Sequence, residues 1–146
     1  MAFRFKFETL LDVRKMQENM AQQAFSQSQR QLRALIAMKE RVLARKDVLR
    51  AELVTRMKSG LGSSEVKRYY DYLLHLDEGV ARIDENIVKA EHQAEEKRQE
   101  LLRAERGHKA MRRLREIHQD RHEGAERRAE MHFLDEIAVM RAGGER

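Results

Sequence analysis

The sequence contains neither cysteine nor proline, and each absence removes a class of structure. Without cysteine there are no disulfides and no thiolate metal centres, which fits a reducing compartment. Without proline nothing forces a helix to break, and glycine, at 7 of 146 residues, offers few other interruptions. Tryptophan is missing and aromatics make up 5%, so material for a multilayer core is scarce. No apolar run exceeds a few residues. The sequence therefore predicts neither a membrane-spanning helix nor a signal peptide, and the expectation is a soluble or at most peripheral protein without direct membrane insertion.

What is present is charge and helix-forming side chains. Charged residues are 38% of the chain, the net charge is +5 and the mean hydropathy is -0.79. The signs alternate along most of the sequence, the pattern of a solvated helix surface laced with i,i+4 pairs. A basic bias remains between Arg98 and Arg115, suited to an acidic partner surface.

Apolar spacing gives this helical material its direction. From Val66 onward, Tyr69, Leu73, Leu76, Val80, Ile83, Ile87, Ala90, Ala94, Lys97, Leu101, Ala104, His108 and Met111 fall at alternating three- and four-residue steps. A period of 3.5 keeps one narrow stripe turned toward a partner helix, which is a coiled-coil seam. A poorer seam precedes it: Phe7, Leu11, Arg14, Glu18, Ala21, Phe25, Ser28, Leu32, Leu35, Lys39, Val42, Lys46, Leu49, Leu53 and Arg56. Its polar members, with Lys97 opposite, are expected to weaken the pairing, although lysine stems can lie along apolar surface.

Between the two seams stands Ser59-Gly60-Leu61-Gly62-Ser63-Ser64, where glycines supply positive φ and serines can cap the following helix. The predicted fold is therefore all-α: a long antiparallel two-helix coiled-coil hairpin. It has helix one over about 7–58, a turn at 59–64 and helix two over about 65–141, all in one elongated domain spanning 1–146. Folding about Leu61 sets Leu53 opposite Tyr69 and Tyr70, Leu49 opposite Leu73, Val42 opposite Val80, Leu35 opposite Ile87 and Leu11 opposite Met111. Helix one then reaches back only to about Ile117, leaving an overhanging C-terminal helix. Along that overhang the seam degrades into Arg115, His118 and His122, and the stripe beyond Met111 is expected to be available to another protein. A separate apolar group follows at Phe133, Leu134, Ile137, Ala138 and Met140.

No residue pattern points to catalysis, and no catalytic, cofactor-binding or metal-binding residue is assigned. His118 and His122 stand four apart, but Gln119, Asp120 and Arg121 between them lack the glutamate of the H-E-x-x-H arrangement. The Gly60–Ser64 loop lacks the lysine and preceding strand of a phosphate-binding loop.

The opening Phe3-Arg4-Phe5-Lys6-Phe7-Glu8-Thr9-Leu10-Leu11-Asp12-Val13-Arg14 reads as an extended lead-in whose aromatics staple onto the first helical turns. Together with the long Gln-, Arg- and Ala-rich helix, the glycine turn and Tyr69-Tyr70-Asp71-Tyr72-Leu73-Leu74-His75-Leu76, it resembles the FliJ family of flagellar type III export proteins. The resemblance implies a cytoplasmic protein, peripheral at the cytoplasmic face of the cell membrane, shaped like the central stalk of a rotary ATPase. It implies two principal partners, the hexameric flagellar export ATPase and the cytoplasmic domain of the transmembrane export gate. It also implies a role as a general chaperone or chaperone escort, with export chaperones as further partners.

Laid on the family's pattern, the gate-facing candidates are Met38, Val42, Leu49, Tyr72, Leu76 and Gly79. Val42, Leu49 and Leu76 also lie on the seam, where a core role comes first. The ATPase-facing candidates are Phe3, Phe5, Leu10 and Arg14 with Phe133, Leu134, Ile137 and Met140. The alternatives are the stalk protein of a virulence secretion system and, less favoured, a nucleic-acid-binding coiled coil using Arg98–Arg115. Against the latter, Leu101, Ala104 and Met111 carry the seam through the basic stretch, so the primary reading has no nucleic-acid partner.

Overall fold

The structure, a computed structural model, describes residues 2–144. Two helices, α1 (Glu8–Lys58) and α2 (Ser63–Gly144), pack against each other as a helical hairpin, and no strand occurs among the described residues. Strong helix formers and the lack of proline let both run without interruption. Glu8 and Glu65 complement the positive N-terminal ends, and Arg56, Lys58 and Arg141 the negative C-terminal ends.

The turn is shorter than the sequence suggested. Gly60, at φ +87°, closes α1 in the left-handed conformation, with the Ser59 and Gly60 amides donating to the carbonyls of Arg56 and Met57. The Gly62 carbonyl accepts from the Val66 amide, so α2 begins directly after Gly62, and Ser63 and Ser64 form its first turn rather than capping it. Leu61 is half-buried against the core and pins the loop.

The chain divides into two compact units. In the unit of residues 21–101, all predicted seam positions from Ala21 to Leu53 and from Val66 to Leu101 are buried or half-buried. Leu49, Leu53 and Leu73 form its centre, with Leu61, Tyr69 and Leu76 packed around them. Further along, the buried positions are Ile83, Ala90, Ala94 and Ser28, so small side chains dominate that part of the seam. Ser28 satisfies its hydroxyl by donating to the Phe25 carbonyl at 2.7 Å.

Polar seam residues do more than weaken this unit. Lys39 pairs across to Asp84 at 2.6 Å, Lys46 pairs with Asp77, and the Tyr69 hydroxyl donates to Glu52 at 3.0 Å. Each reaches a partner beside the opposite seam, so the pairs fix the register that the leucines would tolerate slipping. Desolvation and the Glu52 hydrogen bond push the Tyr69 phenol above its ordinary value.

The other unit comprises the described residues 2–20 and 102–144. Here Glu18 pairs with His108, Glu8 accepts from Arg115 at 3.1 Å, and the Arg14 side chain lies over Gly107. Phe7, expected in the seam, is exposed, and Phe5 is buried instead. The 3.5-residue period holds only where the chain is helical, and α1 begins at Glu8, after a turn at Lys6 and Phe7.

Candidate partner-binding surfaces

The alternating phenylalanines of the lead-in pack mainly on α2. Phe5 meets His118 edge-on at 5.5 Å between centroids and Phe7 at 5.8 Å, while Phe3 lies 5.6 Å from His122. The Arg115 guanidinium sits 5.8 Å over the Phe3 ring, a cation–π geometry. The stretch from Arg115 to His122 is therefore covered by the chain's own N-terminal residues. This corrects the expectation that the stripe becomes available directly after Met111. The lead-in extends the pairing past the start of α1, as a count of helical residues alone would not reveal.

The uncovered surface starts farther on. Met131, Phe133, Leu134 and Met140 are 65%, 61%, 56% and 74% exposed, Val139 is exposed as well, and Ile137 is half-buried. Phe133 stands eleven positions beyond His122, about 16 Å along the axis at 1.5 Å per residue. The N-terminal candidates thus separate into two roles. Phe5 is buried and Phe3 half-buried in the lead-in, whereas Leu10 and Arg14 are exposed, Arg14 lying over Gly107 and donating to Gln17 at 3.3 Å. Phe133, Leu134, Ile137 and Met140 occupy another stretch of the same unit.

In the unit of residues 21–101, Leu49 is buried, and Val42 and Leu76 are half-buried in the seam. Met38 and Tyr72 are exposed, and the Tyr72 ring stacks on His75 at 6.5 Å. Gly79 is half-buried within α2, yet a Cβ placed there would meet nothing within 4 Å. Met38 lines a shallow groove with Ala34, Leu35 and Ala90, rimmed by Asn86 and Lys89. Tyr70, set opposite Leu53 by folding about Leu61, is exposed instead, and sequence reasoning passed over Leu74, Val88, Met131 and Val139, also exposed. Their common signal is a large apolar residue lying off the alternating seam.

The model for the family described as flagellar FliJ protein matches residues 3–146. This chain belongs to the flagellar FliJ protein family. Among curated proteins, the flagellar FliJ protein of Bacillus subtilis (strain 168) is 22% identical over 142 residues, covering 95% of each chain. No solved structure matches. Membership makes this chain a component of the flagellar export apparatus. No helix among the described residues is long and apolar enough to cross a membrane.

Proposed function

We propose that this chain is the stalk-like coupling component of the flagellar export apparatus. It engages the hexameric export ATPase through its terminal unit and the cytoplasmic domain of the export gate through the unit nearer the turn. It works at the cytoplasmic face of the membrane and escorts export chaperones. The family match over residues 3–146 supports the system, and the exposed apolar stretch Met131–Met140, past the last residue covered by the lead-in, supports a protein partner at that end. A helix so charged elsewhere has no reason within its own fold to carry Phe133, Leu134 and Met140 in water. Exposed Met38 and Tyr72 are the gate-facing residues on this reading, while Leu49 serves the core.

The test adds the full-length chain to purified flagellar export ATPase at a concentration limiting for ring assembly. Hexamer formation and hydrolysis are expected to rise together, and Leu134→Glu is expected to remove the rise while leaving the circular dichroism unchanged. An ATPase indifferent to the wild-type chain would overturn the proposal.

A further inference from the structure

The exposed apolar face near the end of α2 is self-complementary. Between residues 130 and 141 the positions turned to one side are Glu130, Leu134, Ile137 and Arg141, spaced four, three and four. These are the a and d positions of a coiled coil, and the flanking e and g positions, Met131, Phe133, Ala138 and Met140, are apolar. The outer positions, His132, Asp135, Glu136 and Val139, are polar except for the valine. The order acid, apolar, apolar, base along the seam is what an antiparallel two-fold pairing requires. Placing Leu134 against Ile137 of a second copy brings Glu130 opposite Arg141 twice, Phe133 beside Met140, and Met131 beside Ala138.

We propose that the segment 130–141 docks antiparallel on the same segment of a second copy of this chain. Among the described residues Glu130 and Arg141 form no ion pair, so both end charges are open to a second copy. They cannot pair within one helix, where eleven residues hold them about 16 Å apart. The apolar side chains between them are more than half exposed at Met131, Phe133, Leu134 and Met140. Over two copies they offer on the order of 1,000 Å², the lower bound for a specific interface, so the pair is weak and reversible. A partner seated on this face would displace the second copy, but the self-pairing stands without any such partner.

The experiment uses the full-length chain alone, in sedimentation equilibrium from about 1 to about 200 µM, a range that brackets weak micromolar association. A monomer–dimer equilibrium is expected. Leu134→Glu abolishes it with helicity unchanged, because that side chain lies outside the buried core. Glu130→Arg and Arg141→Glu each weaken association by about fivefold to tenfold through like charges facing across the pair. The double variant Glu130→Arg/Arg141→Glu restores it. A parallel pair sets each charge against its own copy and gives no rescue. A monomer throughout the range, or a dimer indifferent to the single charge reversals, overturns the proposal.

Discussion

Lys46 and Asp77 form an ion pair with unequal ends: the lysine side chain is 14% exposed and the aspartate 47%. That inequality decides which partner can be removed cheaply. Asp77 left alone stays in water, whereas Lys46 left alone keeps its ammonium against the seam with nothing to offset its lost hydration. Asp77→Ala is therefore expected to cost about 1 kcal/mol, and Lys46→Met, which preserves the stem, close to none. Urea denaturation of the two variants checks the order, and equal losses would show that the pair acts as an ordinary surface contact. Not every ion pair in the unit carries this weight. Arg98 and Gln99 hold the Glu95 carboxylate at about 2 through hydrogen bonds from the same helix, so that cluster stays charged throughout ordinary pH without touching the seam. These polar pairings were only half legible in the sequence. Lys39, Lys46 and Glu18 stood out as interruptions of the apolar stripe, but their partners Asp84, Asp77 and His108 lie far away in sequence.

Along the helices, Gly60 and Gly79 are the same residue type under opposite constraints. Gly60 holds φ +87°, where any Cβ strains the backbone, so Gly60→Ala is expected to destabilise by about 1 kcal/mol. Gly79 is helical with open space around its missing Cβ, so Gly79→Ala is expected to stabilise by about 0.5–1 kcal/mol through helix propensity alone. Thermal and urea unfolding of both variants should move in opposite directions. Destabilisation by Gly79→Ala would mean that α2 is distorted there. If Gly79→Ala stabilises the fold but weakens the proposed capture of the gate's cytoplasmic domain, the glycine is kept for close approach of a partner. The elements themselves were readable because a 3.5-residue period survives any choice of side chain at a given step, including the small Ala90 and Ala94. Their ends were less readable. The serine cap failed at Ser63 and Ser64 because the backbone carbonyl of Gly62 already opens α2.

At the scale of the whole chain, the two compact units differ in what they bury. Residues 21–101 enclose Leu49, Leu53, Leu73, Ile83, Ala90, Ala94 and Ser28, whereas among the described residues of the other unit only Phe5 is buried. The sequence hid this contrast, because both seams look continuous in spacing and a helix-only register gave no part to the lead-in. The candidate surfaces were legible to a similar degree. Phe133, Leu134 and Met140 stood out as apolar residues off the main stripe, while Phe3 and Phe5 looked alike until His122 and His118 met them. Opening free energy follows buried apolar contact, so amide exchange should divide α2 into levels. Residues 66–97 are expected to exchange slowest, residues 102–122 at least about tenfold faster, and residues 123–144 fastest. Phe5→Ala should raise exchange over 111–122 and leave 66–97 unchanged, since its ring packs on His118 alone of α2's aromatic side chains. Uniform protection from Val66 to Met140 would mean that the hairpin opens as one cooperative body. Graded protection would give the terminal unit the low opening cost that a segment exchanging one partner for another requires.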